Sequence, residues 1–174
     1  MPLVTRAQAS VQGSAILVCM TGDVLIREAR ASDCRRLAEL RAALWPDASA
    51  EELEQEVATL LDGAVPFPLP SIHFVAEAAG GQLIGFLEAA LRSHADGCDP
   101  AHPVGFIEGW YVEDSWRRQG IGGLLVAAAE DWARSQGCIE MASDTWIDHE
   151  LSQRAHTALG YQEVDRCVHY RKPL

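Results

Sequence analysis

The residues of this chain that could carry chemistry concentrate between positions 108 and 123, in the run EGWYVEDSWRRQGIGG. A carboxylate, Glu108, lies on an alternating apolar segment typical of a strand, and Arg117 and Arg118 lead into a glycine-rich turn that opens a helix. Glycines let the backbone approach a ligand closely, and the N–H groups at a helix N-terminus attract negative charge. The run therefore predicts a site for a phosphorylated ligand.

Three phosphate-binding patterns can be compared with this turn. A Walker A loop ends in Gly-Lys-Ser/Thr, whereas leucines follow Gly123 here. A dinucleotide fingerprint requires G-x-G-x-x-G, but Leu125 occupies the place of the third glycine. The pattern R-x-x-G-x-G is met by Arg117, Gly120 and Gly122. The alternative to a ligand site is a tight turn that only introduces the helix.

Metal and covalent chemistry find little support in the sequence. The six histidines show no H-x-x-x-H or H-E-x-x-H spacing, and the cysteines do not pair with them. A G-x-S-x-G nucleophile turn is missing from the sequence. We therefore expect neither a metal site nor an acyl-enzyme.

Periodicity and capping signals predict the elements that must position these residues. The order is strand, two helices, three strands, helix, strand, helix, strand, which indicates an α/β (α+β) fold with a mixed sheet and helical crossovers. Predicted strands cover residues 24–29, 72–78, 82–92, 104–112, 138–143 and 161–171. The first predicted helix begins after a cap at Ser32 and ends at Trp45-Pro46, and the second runs from a Ser49/Glu52 capping box to Gly63. The third covers residues 120–136, and the fourth covers residues 148–159 and is capped by Asp148.

Size, charge and cysteine content limit the class of protein. With 174 residues and 48% hydrophobic content, residues 24–174 are expected to form a single domain, preceded by an extension of uncertain order at residues 1–23. The net charge of −11 argues against partners such as nucleic acids or anionic membranes and favours a cationic small molecule. Five scattered cysteines and the lack of a signal-peptide pattern predict a cytoplasmic protein with reduced thiols.

The turn and its surroundings resemble a known family. The R-x-x-G-x-G pattern, the order of elements and the closing A-L-G-Y resemble the GNAT N-acetyltransferase superfamily over residues 24–174. Within it, the chain looks most like the aminoglycoside 6'-N-acetyltransferases, through LRAALWPD, FIEGWYV, MASDT and HTALGY. The resemblance implies the GNAT fold, a central sheet of six to seven strands flanked by about four helices. It also implies acetyl-CoA as cosubstrate, without a metal.

The resemblance implies where the coenzyme binds. Backbone N–H groups of the glycine turn would hold the pyrophosphate, and the strand before it would hold the pantetheine and the acetyl oxygen. The implied coenzyme-binding residues are Trp110, Tyr111, Val112, Arg117, Arg118, Gln119, Gly120, Ile121, Gly122 and Gly123.

Two residues are implied as catalytic. Glu108 stands where a carboxylate binds the acceptor amine and helps to remove its proton, the alternative being a solvated carboxylate on the strand rim. Alternation would place Glu108 on one face with Phe106, Trp110 and Val112. His156 stands where many relatives carry a tyrosine that donates a proton to the thiolate. A histidine side chain can donate near neutral pH, but it often makes an ordinary packing contact instead.

The substrate side is expected to combine carboxylates with aromatic faces, which suit a polycation with sugar rings. Resemblance implies that Trp45, Glu108 and Asp144 bind the substrate, with packing or capping as the alternative role of Trp45 and Asp144. Weaker matches are His149, Asp165 and His94, the last in a loop where relatives carry a tyrosine. Glu88 either enlarges an acidic cleft or lies at the sheet surface.

The predicted function is transfer of the acetyl group of acetyl-CoA to the 6'-amine of aminoglycosides, directly within a ternary complex, which gives antibiotic resistance. One alternative keeps the chemistry but changes the acceptor to a polyamine, a peptide N-terminus or a cationic metabolite. A second is a non-catalytic acyl-CoA-binding module. A homodimer is expected because Trp116, Trp146 and the last predicted strand offer apolar surface.

Overall fold

The computed structural model describes residues 5–11, 14–61 and 69–173. Seven strands form one sheet in the order β1 to β7. They are β1 (Thr5–Val11), β2 (Ser14–Thr21), β3 (Val24–Glu28), β4 (Ser71–Ala78), β5 (Leu83–Arg92), β6 (Val104–Val112) and β7 (Met141–Ser143). The helices are α1 (Cys34–Leu44), α2 (Ala50–Leu61), α3 (Ile121–Ser135) and α4 (Glu150–Ala158). The predicted mixed sheet flanked by four helices is confirmed.

The two faces of the sheet carry separate apolar clusters. On one face α3 buries Ile121, Leu125 and Ala129 against β3 to β6. On the other face α1 and α2 pack against strand residues such as Val75 and Phe86. Since neighbouring side chains on a strand point to opposite faces, Phe74 belongs to the first cluster and Val75 to the second.

Strand pairing is antiparallel from β1 to β6, whereas β6 and β7 are parallel. The connection between β6 and β7 runs through α3, as a parallel pair requires. The glycine turn lies between β6 and α3, so it sits at the C-terminal end of β6. This crossover places the glycine turn next to β6, the strand that carries Glu108.

Several local signals act as predicted. Ser49 and Glu52 form the capping box of α2, with Glu52 N–H donating to Ser49 Oγ at 3.2 Å. Gly80 and Gly81 make the β4–β5 turn with φ of 89° and 86°. Gly137, with φ of 86°, follows α3. Gly63, predicted to end α2, lies outside the described residues.

Two predicted caps are wrong. The N-cap of α1 is Asp33 rather than Ser32, because a short 3-10 turn at Ala31–Asp33 precedes the helix. The helix α4 starts later than predicted, with His149 at its N-cap position and no side-chain cap hydrogen bond, so Asp148 does not cap it.

The C-terminal part of the sheet also differs from the prediction. Only Met141–Ser143 of the predicted strand 138–143 forms β7, and no strand forms in residues 161–173. The alternation that suggested a last strand would place its apolar side chains on one face, which another element would have to cover. In this single chain Val168 and Tyr170 remain 73% and 93% exposed, so that cover is not supplied.

Residues 1–23, expected as an extension of uncertain order, include β1 and β2. These two strands form a hairpin that joins the sheet through the pairing of Cys19 with Ile26. β1 has no apolar period and β2 is a continuous apolar run from Ala15 to Met20, so neither shows the alternation that indicated the other strands. No helix of the described residues is long and apolar enough to cross a membrane.

Candidate active site

The candidate site lies where β6 and β7 separate. The parallel ladder ends at the pair Ile107–Ser143, and β6 continues through residues 108–112. One edge of this continuation pairs with β5. The other edge is unpaired among the described residues, so its N–H and C=O groups face the opening between the strands. The predicted coenzyme strand, Trp110 to Val112, lies along this free edge.

Glu108 is the extra residue of a β-bulge at this point. On β5, Glu88 pairs with Gly109 and Ala89 pairs with Ile107, so Glu108 has no partner of its own. Bulges bend a strand and redirect a side chain, and they are common beside active sites. The bulge also breaks the alternation.

As a result, the expectation that Glu108 shares a face with Trp110 and Val112 is wrong. Those two residues pack in the cluster under α3 together with Ile107. Phe106 belongs to a different cluster, and the Arg92 side chain contacts both Phe106 and Glu108. Glu108 and Phe106 are therefore neighbours, as expected, while Trp110 faces the helix.

The Glu108 carboxylate is held by Arg92 in a bidentate ion pair. Arg92 Nη2 donates to Oε2 at 2.6 Å and Nε donates to Oε1 at 3.0 Å. The guanidinium also lies 3.4 Å from the centroid of the Phe106 ring. Both side chains remain partly exposed, at 41% and 35%. Sequence reasoning missed Arg92, whose only signal was its place at the end of β5.

Trp45 lies directly beside this bulge. A Cβ added to Gly109 would be 2.5 Å from Trp45 Cη2, so glycine is what allows the indole to cover the strand here. The indole also packs on Phe86, with ring centroids 6.1 Å apart. Since Gly109 follows Glu108, the structure brings together the predicted aromatic and acidic parts of the substrate site.

Beneath Trp45, a buried ion pair joins α1 to β5. Arg41 Nε lies 3.2 Å from Glu88 Oε1, and the Arg41 guanidinium lies 5.2 Å from the Trp45 ring centroid. Glu88 is 6% exposed, so the expectation that it lies at the sheet surface or in an acidic cleft is wrong. Glu88 can be buried because its charge is balanced by that of Arg41, which is equally buried.

The loop before α3 is fastened by Arg117. Its Nε–H donates to the Val112 carbonyl at 2.8 Å, and its Nη1 pairs with Asp114 at 2.7 Å. The guanidinium also lies 5.4 Å from the centroid of the Tyr111 ring. Arg117 therefore ties the loop to the end of β6, while Arg118 is exposed and has no partner within the described ranges.

The N-terminus of α3 has the features of an anion cradle. Gly120, its N-cap residue, has φ of 83°, and no side chain caps the helix. An added Cβ at Gly120 would meet no atom within 4 Å, so open space adjoins the first turn. Arg118 itself adopts φ of 65°, which is uncommon outside glycine. These uncapped N–H groups and this free cation fit a pyrophosphate.

Gly122 is explained by packing. A Cβ there would lie 2.7 Å from Trp110 Cζ2, so the glycine lets α3 rest on the indole. Ile121 is buried in the same cluster, and Gln119 donates its side-chain N–H to the Ser115 carbonyl. An added Cβ at Gly123 would approach only Leu159, at 3.4 Å. In the predicted coenzyme loop, Gly122 and Gln119 therefore shape the turn itself.

His156 lies at the point where β6 and β7 diverge. Its Nδ1 is 2.8 Å from the Ser152 carbonyl oxygen, which assigns Nδ1 as a donor, and Nε2 is 3.0 Å from the hydroxyl of Ser143 on β7. The ring makes edge contacts with Trp110 and Tyr161, at centroid distances of 5.4 and 5.6 Å. Burial, together with the nearby Glu130 carboxylate, raises the pKa of Tyr161, which keeps that phenol protonated.

The remaining predicted substrate residues are exposed. Asp144 directly follows Ser143, which bonds to His156. His94 lies 3.6 Å from Asp96 in the loop after β5. His149 sits at the N-cap position of α4, and Asp165 accepts a hydrogen bond from the Arg166 N–H. No contact recorded for the described residues joins these four to Glu108. A Cβ at Gly97 would meet Val164, which places the segment around Asp165 against the loop of His94.

Comparison with known proteins decides the family. The model of the acetyltransferase (GNAT) family matches residues 35–161. The chain belongs to the GNAT acetyltransferase family. Among the described residues, no group of three His, Cys, Asp or Glu could hold a metal ion.

Similar GNAT proteins are named for one activity. An aminoglycoside N(6')-acetyltransferase type 1 from Klebsiella aerogenes is 41% identical over 155 residues, which cover 89% of this chain and 100% of the relative. The protein of the same name from Stenotrophomonas maltophilia is 42% identical over 151 residues, covering 86% and 93% of the two chains.

Solved GNAT structures resemble the fold over the same range. AAC(6')-Iy in complex with the bisubstrate analog CoA-S-monomethyl-acetylneamine has a TM-score of 0.77 at 34% identity, covering 88% of this chain and 100% of that chain. AAC(6')-Ih from Acinetobacter baumannii has a TM-score of 0.76 at 33% identity, covering 87% and 99%.

Proposed function

We propose that this protein transfers the acetyl group of acetyl-CoA to the 6'-amino group of aminoglycosides and thereby gives resistance to them. The observation that carries the proposal is the 41% identity with an aminoglycoside N(6')-acetyltransferase along that relative's whole length. The geometry supports it, since an anion cradle and a carboxylate lie at the two ends of one unpaired strand edge.

The coenzyme side uses backbone more than side chains. The first-turn N–H groups of α3, with Arg118 beside them, would hold the pyrophosphate, and the free edge from Trp110 to Val112 would hold the pantetheine. Arg117 is already bonded to Val112 and Asp114, so its role is to shape the loop. When bound, acetyl-CoA supplies the thioester whose carbonyl carbon accepts the amine.

The acceptor side centres on Glu108. A substrate ammonium would bind its carboxylate, which then accepts the proton, directly or through a water, as the amine nitrogen attacks the carbonyl carbon. Trp45 offers an aromatic face beside it for a sugar ring, and Asp144, His94, His149 and Asp165 add polar groups around the opening. The net charge of −11 attracts a polycation to the protein as a whole.

His156 completes the transfer by protonating the sulfur. As the carbon–sulfur bond breaks, the thiolate needs a proton. Because the Ser152 carbonyl holds the Nδ1 proton, His156 would donate from Nε2 as the doubly protonated imidazolium, directly or through the Ser143 hydroxyl 3.0 Å away. The bond from Nδ1 to the Ser152 carbonyl fixes the ring orientation that this requires. Direct attack needs no covalent enzyme intermediate.

A homodimer and a cytoplasmic location are part of the proposal. Trp146, Ile147, Val168 and Tyr170 are each at least 69% exposed in the single chain, which is unusual for large apolar side chains and suits contact with a second copy. Cys98, Cys138 and Cys167 are free thiols, as expected in a reducing compartment.

A substrate panel tests the function. Release of free coenzyme thiol is measured with acetyl-CoA and, in parallel, aminoglycosides, polyamines, peptide N-termini and no acceptor. We expect turnover only with aminoglycosides that carry a 6'-amine. Turnover with polyamines or peptides alone would show that the enzyme acetylates another acceptor. Coenzyme binding without turnover of any amine would indicate an acyl-CoA-binding module.

A further inference from the structure

Resting on the proposed role of Glu108, we propose that Arg92 is a displaceable counter-ion, which occupies the place of the substrate ammonium and must leave for the acceptor to bind. The inference concerns the acceptor side only. It makes Arg92 a residue that sets affinity for the cationic substrate without taking part in the chemistry.

The contact itself is that of a bound cation. Arg92 donates to both oxygens of Glu108, at 2.6 and 3.0 Å, so the strongest acceptor positions of the carboxylate are used. The paired site has no net charge and offers little attraction to an ammonium group. A substrate amine that binds Glu108 next to the guanidinium would meet a like charge within a few ångströms.

The pair is also easy to open. Both side chains are more than a third exposed, and exposed ion pairs contribute little to the stability of a protein. Arg92 lies in the last position of β5, so its side chain can turn into solvent without disturbing the sheet ladder. Contact with the Phe106 face, at 3.4 Å, holds the guanidinium over the site when no substrate is present.

By contrast, Arg41, the second arginine on the acceptor side, cannot leave its carboxylate in this way. Arg41 has only 8% of its side chain exposed and pairs with the equally buried Glu88. Its removal would leave the buried Glu88 carboxylate with only the His73 ring, 3.7 Å away, which is strongly destabilising. Burial therefore separates a structural arginine under Trp45 from an exchangeable one over Phe106.

The test measures substrate binding to Arg92→Met, whose side chain still covers Phe106 but carries no charge. We expect the dissociation constant for kanamycin, measured by calorimetry, to fall about three- to tenfold, while that for acetyl-CoA is unchanged. Arg35→Met is the matched control, because Arg35 is 84% exposed at the opposite end of α1 from Trp45 and its loss changes the net charge equally. The control should change kanamycin affinity less than twofold.

Coupling to Glu108 separates this inference from the proposed function. In a Glu108→Gln background, Arg92→Met should no longer tighten kanamycin binding. If the wild-type protein acetylates aminoglycosides but Arg92→Met binds kanamycin equally or more weakly, Arg92 instead holds Glu108 in place and the inference is wrong. If the wild-type protein neither binds nor acetylates aminoglycosides, the proposed function fails first.

A second measurement uses the unchanged protein, so it does not depend on the folding of a variant. The Arg92 Nε–H resonance, assigned by its loss in Arg92→Lys, should be protected from solvent exchange by the bond to Glu108. Saturation with kanamycin should abolish that protection. Protection that persists in the saturated complex would show that Arg92 stays in place.

Discussion

At the residue scale, the position of Glu108 at a bulge determines what its carboxylate can reach. It has no cross-strand partner on β5, and it adjoins the glycine that Trp45 covers. The carboxylate is therefore turned toward Arg92 and the opening, away from the apolar cluster under α3. In the proposed function, this carboxylate accepts the proton of the acceptor amine.

Replacing Glu108 with glutamine should lower kcat with an aminoglycoside by about 10²–10³-fold, because the amide cannot accept the proton. Calorimetry should show unchanged acetyl-CoA affinity, since the anion cradle lies at the other end of the strand. Glu51→Gln, an exposed change in the first turn of α2, is the control. Turnover by Glu108→Gln close to that of the control would show that the carboxylate takes no part in the reaction.

His156→Asn tests the proton donor. Asparagine can bond to the Ser152 carbonyl but cannot supply a proton to sulfur, so kcat should fall about 10–10²-fold, with little change in the KM for acetyl-CoA. Thermal unfolding checks the packing role, because His156 also contacts Trp110 and Tyr161. A lower melting temperature with unchanged kcat would leave only the packing role.

Residue types predicted part of this site and missed part of it. Glu108, Trp45 and His156 could be picked out from motif resemblance, and the structure places them around the separation of β6 and β7. Arg92 could not, since its role depends on a bulge that shifts Glu108 by one position, and a bulge leaves no mark in hydrophobic periodicity. Gly122 was selected for a ligand, whereas its immediate neighbour is the Trp110 indole.

At the element scale, local signals predicted the helices and hairpin well. The stripe of α3, the capping box of α2 and the Gly80-Gly81 turn are interactions between residues close in sequence. Elements that depend on partners distant in sequence were harder to predict. The pairing of β1 with β2 and of β2 with β3 has no apolar alternation behind it, and the alternating segment 161–171 lacks a partner strand in the described chain.

One ion pair that helps to attach α1 to the sheet has a clear pH signature. Arg27 on β3 donates to both oxygens of Asp33, at 2.7 and 3.0 Å, and the Arg30 N–H adds a third bond. Burial alone would raise the pKa of Asp33, but these bonds outweigh it and hold the pKa below its usual value. Its stabilisation is therefore complete above the unfolded pKa of about 3.9 and is lost as pH falls through the lower folded value.

Asp33→Asn should lower the free energy of unfolding by about 2 kcal/mol at pH 7, because it weakens two charged hydrogen bonds of a buried guanidinium that keeps only Glu77, at 2.6 Å, as a charged partner. The difference between wild type and variant, from urea unfolding at several pH values, should stay constant above about pH 5 and shrink below about pH 4. Glu39→Gln, which breaks only exposed pairs with Arg35 and Arg36, is the control. A difference that does not depend on pH would mean that the Asp33 charge is not the source of the stabilisation.

At the scale of the whole molecule, the large apolar residues whose exposure the structure describes are most exposed in the C-terminal third. Ile139, Trp146, Val164, Val168 and Tyr170 are each at least 64% exposed, while the central clusters are fully covered. A chain with a net charge of −11 repels its own copies at long range, so association needs such apolar contact. The C-terminal segment is the part of the described chain best suited to supply it.

A change of Val168 and Tyr170 to aspartate should convert the proposed dimer to a monomer. Two buried carboxylates would oppose association by several kcal/mol, since charges at an apolar interface lose their hydration. Sedimentation at micromolar concentration measures the change, with Glu163→Gln as a control for altered charge in the same segment. A wild-type protein that sediments as a monomer would contradict the dimer directly.

The central claim is that the amine at the 6' position of an aminoglycoside accepts the acetyl group. The most direct measurement compares coenzyme thiol release with two kanamycin-type compounds that differ only in carrying an amine or a hydroxyl at that position, followed by mass analysis of the product. The account predicts stoichiometric thiol release and a single acetyl group on the 6' nitrogen of the amine compound, with release at least about 10²-fold slower from the hydroxyl compound. Equal turnover of the two, or acetylation at another nitrogen, would contradict it.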